Sequence, residues 1–185
     1  MEQNTKSGDS NAMQDEKPLI RLCRADEFES LWPQISNIFC MARQYMRRNG
    51  NSVQWTNGYP QKHVIKQDVA DGCFYLVCHN SRIAACFCMR PSPEPTYERI
   101  YNGRWPDDSP YHVIHRLASD GSIKGIAHAV IDFCIRKDNI RVDTHEQNTT
   151  MIHILDNEGF ARCGTIYVAD GTPRIAFHKH TDVTY

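Results

Sequence analysis

Residues 19–23 alternate apolar and polar positions as a half-buried strand does. Asp26 then opens a stretch running to Arg48 in which Leu31, Ile35, Ile38, Phe39, Ala42 and Met46 recur at helical spacing, closed by Asn49-Gly50. Pro33 removes an amide from that stretch, so the helix is expected to begin at this residue or to kink near it. Tyr59-Pro60 is expected to start a second helix, with Val64, Ile65 and Val69 on one face and Asp71-Gly72 at its end. Residues 73–78 and 82–90 read as two strands joined by a short His79-Asn80-Ser81 turn. The stretch 91–110, with five prolines and Trp105, reads as an irregular excursion. Beyond it come a strand over 111–118, a loop over 119–124 and a helix striped by Ile126, Val130, Phe133 and Cys134. A strand over 140–144, a helix over 148–158 ended by Gly159, and strands over 160–168 and 174–178 complete the chain. There is no internal repeat. The order of strand, helix, helix, three strands, helix, strand, helix and two strands defines a mixed α/β protein with at least one parallel crossover.

Residues 1–17 hold Asn, Gln, Ser, Asp, Glu and Lys with scarcely any apolar content, so they are expected to form a disordered tail. A single domain is expected over residues 18–185, because 185 residues match the usual size of one domain. With 21 Lys+Arg against 22 Asp+Glu the net charge is −1, which argues against a protein that coats nucleic acid or an anionic membrane. The unusual counts are eight Cys and nine His. No two cysteines form a C-x-x-C pair, and most sit inside apolar runs, where a free thiol behaves as a small buried hydrophobe. With no secretory apolar stretch ahead of them, a reducing cytoplasm is the expected compartment. His145-Glu146 begins like a zinc-protease motif, but Thr149 stands where the second histidine belongs. His178 and His180 share a strand face, yet two ligands without a third make no metal site, so no metal is expected.

The most informative stretch is His115-Arg116-Leu117-Ala118-Ser119 at a strand end, the loop Asp120-Gly121-Ser122-Ile123-Lys124, and the helix opening Gly125-Ile126-Ala127. A glycine-bearing loop entering a helix presents unpaired N–H groups and the positive end of the helix dipole, an arrangement that binds phosphate. Gly125 and Ala127 keep side chains small where a pyrophosphate would approach the backbone. An ordinary turn with glycines would read the same way.

This motif and the order of elements together resemble the GNAT superfamily of acetyl-coenzyme A dependent N-acetyltransferases, over roughly residues 19–179. The family signature [Q/R]-x-x-G-x-[G/A] corresponds to Ser122-Ile123-Lys124-Gly125-Ile126-Ala127, with Ser at the first position. A second match runs from Asp143-Thr144-His145-Glu146-Gln147-Asn148 to Leu155-Asp156-Asn157-Glu158-Gly159-Phe160. Gln54-Trp55, Gly58-Tyr59-Pro60 and the final strands also look like bacterial members acting on unknown amines.

The resemblance implies a central mixed, mostly antiparallel sheet of about seven strands flanked by about four helices. It implies transfer of acetyl from acetyl-CoA to a primary amine of a small molecule or peptide, by direct attack on the thioester. Leu117, Ala118, Gly121, Ser122, Ile123, Lys124, Gly125, Ile126, Ala127 and Asn148 would hold the coenzyme. The tyrosine that usually protonates the departing thiolate is here Leu155, so Tyr167 or water would have to serve. His145, then Glu146, are the candidate bases at the end of a strand; capping a strand and opening a helix are their alternative roles. Trp55 and Tyr59 fall where the family builds its acceptor pocket, with aromatic core packing as the alternative. Arg116 could pair with a substrate carboxylate or form a structural salt bridge. Because neighbours alternate across a strand, only one of His115 and Arg116 is expected to face the substrate. The rival reading is an acyl-CoA-binding module without turnover, motivated by Leu155. Dimers are frequent among such relatives, which leaves a homodimer open.

Overall fold

The computed structural model describes residues 17–181, so the expected N-terminal tail, but for Lys17, lies outside the described residues. Among these, seven strands form one sheet in the order β1-β2-β3-β4-β5-β7-β6. They are β1 (Leu19–Leu22), β2 (Phe74–His79), β3 (Arg82–Pro91), β4 (Tyr111–Ser119), β5 (Asn139–Thr144), β6 (Ala161–Tyr167) and β7 (Pro173–Lys179). Neighbours are antiparallel except β4 and β5, which are parallel and joined through a helix. The helices are α1 (Phe28–Arg48), α2 (Lys62–Ala70), α3 (Ile126–Ile135) and α4 (Thr149–Asn157). This is the mixed, mostly antiparallel arrangement of seven strands and four helices that the sequence led us to expect.

Two helix starts differ from expectation. α1 begins at Phe28 and carries Pro33 inside it. The carbonyl that Pro33 leaves without an amide partner belongs to exposed Glu29, where water can serve it. α2 begins at Lys62 rather than at Tyr59-Pro60, because Gln61 is still extended, at ψ 160°. The turn between β2 and β3 is tighter than its sequence signal: Asn80 and Ser81 take φ of 47° and 62°, the left-handed pair that suits a two-residue hairpin.

Helices cover both faces of the sheet. On one face, Val130, Cys134 and Leu155 of α3 and α4 pack on Phe87, Ile114, Val142 and Phe177. On the other, Ile35, Phe39 and Ile65 of α1 and α2 pack on Phe74, Leu76, Cys86 and Cys88. Each large apolar side chain so buried contributes about 1.5–3 kcal/mol. All eight cysteines are free thiols and six are buried, matching their expected role as core residues.

The excursion between β3 and β4 is fixed to the sheet. It contains one turn of 3-10 helix, Pro95–Tyr97, and Tyr97 is buried over Tyr111, Val113, Ile166 and Ala176. Trp105 donates through Nε1 to the Tyr97 carbonyl at 2.9 Å, and Tyr101 bridges to Thr165 of β6. Gly103 lies so close to β6 that a Cβ there would meet the Cys163 carbonyl oxygen at 2.0 Å. Replacing Gly103→Ala is expected to lower stability by about 1–3 kcal/mol, through displacement of backbone that has no room to yield. Urea unfolding checks this: the midpoint should fall with little change in slope.

Candidate active site

The parallel contact between β4 and β5 is only three pairs long, Tyr111↔Asn139, His112↔Ile140 and Val113↔Arg141. Beyond it the two strands part, and the β5 side of β4 has no strand partner up to Ser119. A cavity of about 1590 Å³ runs through this fork. That exceeds the roughly 300–1,000 Å³ of a site for one drug-sized ligand, so there is room for two reactants. One end is walled by Gly121, Ile123, Gly125 and Ala127, the other by Gln54, Trp55 and Tyr59, and the strands between them by Ile114–Ser119 and Val142–Thr144.

At the first end, Gly125 precedes α3 with φ +74° and offers no side-chain cap. The N–H groups of the first turn therefore face out uncapped, with open space where a Cβ would stand. Ile126 also lines the cavity, whereas Ser122 and Lys124 are exposed and off its wall. Ser122 instead donates through N–H and Oγ to Asp120 Oδ1, at 2.8 and 2.5 Å, and so shapes the loop. Deeper in the fork, the hydroxyl of Thr144 is buried without a hydrogen-bond partner. Asn148 caps α4 by accepting the Met151 N–H at 3.3 Å, while its Nδ2 donates to Gln54 Oε1 at 3.1 Å. Tyr45 of α1 and Thr150 of α4 meet through their hydroxyls at 3.2 Å. These last two contacts span the cavity mouth.

At the other end, β4 carries a bulge: His115–Ala118 of β4 oppose only Cys86–Cys88 of β3. Arg116 sits in it at φ +55°. The bulge breaks strand alternation, so both His115 and Arg116 line the cavity instead of only one. Arg116 forks onto Asp68, with Nη2 to Oδ1 at 2.7 Å and Nε to Oδ2 at 2.9 Å, and donates to the Tyr59 hydroxyl at 3.1 Å. Arg90 adds a third donor to Asp68 at 3.0 Å. The guanidinium is thus engaged in a structural ion pair, and Tyr59 and Trp55 both line the wall, their rings tilted by 59° with centroids 6.4 Å apart.

His115 Nε2 lies 3.0 Å from Glu94 Oε2, and Glu94 also accepts the N–H and hydroxyl of Thr96. Burial acts to raise the Glu94 carboxyl, but the hydrogen bond and charge of His115, with help from Thr96, outweigh it and hold it at about 2. On the facing strand, Asp143 accepts the Tyr97 hydroxyl at 2.7 Å and lies 3.9 Å from Arg174. Sequence reasoning missed Glu94 and Thr144, and weighed His115 only against Arg116 for one place facing the substrate. Only His115 carried a signal, its place on the strand leading into the glycine loop.

The three residues expected to carry the chemistry lie off the cavity wall. β5 ends at Thr144, and the chain then turns so that His145 Nδ1 accepts the Gln147 N–H at 3.1 Å. Partial burial, then Arg174, lower its pKa below the ordinary histidine value. Glu146 is exposed, and Tyr167, 47% exposed, packs edge-on against Tyr101 outside the fork. Leu155 is fully buried among core side chains. Asp107 brings a third ligand-type group to His178 and His180, within 4.8 Å. The Arg141 Nε–H donates to His178 Nδ1 at 3.3 Å, leaving the His178 proton on Nε2, facing His180.

No family model matches the chain, and no curated protein matches it. Among solved structures it is similar to an acetyltransferase of the GNAT family from Streptococcus agalactiae, at 30% identity and a TM-score of 0.79, covering 90% of this chain and 96% of that one. It also shares its fold with a polyamine N-acetyltransferase of Drosophila melanogaster that catalyses formation of N-acetylagmatine, at 12% identity and a TM-score of 0.58, covering 89% and 100%. A third similar fold is a chain of the NatC complex bound to Gag peptide and CoA, at 14% identity and a TM-score of 0.52, covering 91% and 100%. The chain belongs to the GNAT family of acetyltransferases. It is an acyltransferase enzyme.

Two outcomes follow from the ion pairs. Asp68→Asn leaves Arg116 and Arg90 without their shared carboxylate and is expected to lower unfolding free energy by about 3–5 kcal/mol, measured in urea. Glu94 titrates lower in the folded state than in the unfolded one, so its contribution is complete above about pH 4.3 and is lost as pH falls toward 2. Urea midpoints between those limits should therefore fall more steeply for the native protein than for Glu94→Gln; parallel slopes would contradict the assignment.

Proposed function

We propose that this enzyme transfers acetyl from acetyl-CoA to the primary amine of a small molecule or peptide, by direct attack of the neutral amine on the thioester. The observation that carries this reading is one continuous cavity through the β4–β5 fork, whose wall includes both an uncapped helix end and the aromatic side chains of Trp55 and Tyr59. The residues fit the coenzyme. Gly125, Ile126 and Ala127 would wrap the pyrophosphate with backbone N–H groups, with Gly121 and Ile123 lining the approach, and the open space at Gly125 leaves room for it, whereas the Ser122 N–H is already engaged by Asp120. Leu117, Ala118 and Asn148 would follow the pantetheine arm, and the orphaned Thr144 hydroxyl supplies a hydrogen-bonding group there that no protein atom uses. The coenzyme supplies the activated acetyl group.

The chain's own part is to orient and to stabilise. The free edge of β4 beyond Val113 presents backbone N–H groups where the thioester oxygen gains charge, the usual demand of acyl transfer. Trp55 and Tyr59 line the end through which the amine would enter. The amine acceptors named for the Drosophila enzyme and the peptide and CoA of the NatC complex support this class of reactants.

Titration calorimetry is expected to give saturable acetyl-CoA binding; no heat at about 1 mM coenzyme would remove the proposal. Thr144→Val should weaken that binding up to about tenfold, one hydrogen bond's worth, while leaving the free protein no less stable, since it deletes an unsatisfied buried group. The rival reading, a coenzyme-binding module without turnover suggested by Leu155, runs against the chain's place among acyltransferase enzymes. Thiol release with any amine of a broad panel excludes it.

A further inference from the structure

We propose that His115 is the catalytic base of this enzyme, held and polarised by Glu94, so that β4 and the β3–β4 excursion supply the proton-transfer machinery together. The inference rests on the amine-acetylation reading above. Glu94 is ionised and accepts from Nε2 at 3.0 Å, which fixes the imidazole proton on Nε2 and leaves the Nδ1 lone pair unshared. Nδ1 has no partner among the described residues and is not a buried orphan, and the side chain lines the cavity one residue before the bulge. Both side chains are shielded, at 19% and 13% exposure, so the pair keeps its geometry and its strength.

His63 of α2 also lines the wall, but it is exposed and no carboxylate orients it among the described contacts; the remaining acid–base groups are engaged or misplaced. Asp68 is saturated by Arg116 and Arg90, and Asp143 already accepts the Tyr97 hydroxyl beside Arg174. His128 of α3 is largely exposed and pairs with Glu158 at the far end from Trp55. His115 lies where β4 leaves β5, on the sheet face that Cys88 shares with α1 and α2, the side of Trp55 and Tyr59.

The proton balance closes with this base. The arriving ammonium gives one proton to Nδ1, directly or through one water, and its lone pair forms the C–N bond to the thioester carbon. Collapse breaks the C–S bond with its electron pair going to sulfur. The proton shed by the new amide nitrogen then reaches that sulfur through water. The products are amide, thiol and an imidazolium that returns its proton to solvent. This route needs no tyrosine at the position of Leu155, because the acid proton comes from the acceptor itself.

The test uses the full chain with acetyl-CoA and four probes: 2-phenylethylamine, agmatine, spermidine and a tetrapeptide with a free N-terminus. With whichever probe turns over, His115→Gln is expected to lower kcat at least about 100-fold, while acetyl-CoA affinity stays near that of the native protein and the thermal midpoint falls no further than it does in Glu94→Gln. His115→Ala should regain rate with added imidazole, which a structural role would not permit. Glu94→Gln should slow kcat less, and the double variant should be no slower than His115→Gln alone, since the two act as one unit. Native-like kcat in His115→Gln, or additive losses in the double variant, would overturn the base assignment and leave acetyl transfer standing. Bound acetyl-CoA with no probe turned over by the native protein would overturn the transfer reading for these acceptors and this inference with it.

Discussion

Three residue pairs between β4 and β5 are the only parallel strand contact among the described residues, and their shortness governs the rest of the fold. Longer pairing would close the fork and leave a flat sheet with no interior. No pairing would separate β1–β4 from β5–β7. Between those limits, the strands stay registered at Tyr111–Val113 and part beyond it, so one sheet both holds the fold and opens a cavity. Ligand sites at the point where strands of an α/β sheet diverge arise from the same geometry.

The divergence is braced on each side by polar contacts far apart in sequence. Arg116 adopts a left-handed backbone at φ +55°, a conformation that costs roughly 1–2 kcal/mol for a residue with a Cβ. Its two-pronged ion pair with Asp68 offsets that cost and ties the bulge to α2. On the other side, the excursion carries Glu94 over His115 and Tyr97 over Asp143, and is itself seated by the close approach of Gly103 to β6. A segment that reads as irregular is therefore a second layer over the fork.

Most elements were legible because their physics is local. Alternation marked β1, apolar runs around a short turn marked β2 and β3, 3.6-residue spacing marked α1 and α3, and Gly159 marked the end of α4. The glycine loop before α3 was legible for the same reason, since its φ values are a property of Gly121 and Gly125 themselves. What sequence could not display was set at long range. The bulge that turns His115 and Arg116 to one cavity depends on β3 register, and the His115–Glu94 contact joins residues 21 apart through an excursion with no periodicity. The expectation for His145 rested on its place after a strand, but a turn back onto Gln147 occupies its ring nitrogen. The orphaned hydroxyl of Thr144 is visible only once every neighbouring donor and acceptor has been placed.

Asn148 with Gln54, and Tyr45 with Thr150, join the two banks of the cavity mouth by neutral hydrogen bonds rather than by packed apolar surface. Such bonds are worth about 1 kcal/mol net each, because water or another polar group replaces them nearly in kind. The banks can therefore exchange a protein partner for a bound one at almost no enthalpic penalty, whereas the fork beneath, sealed by Ile140, Val142 and Phe177, has no such substitute. The molecule is rigid at the vertex and interchangeable at the rim.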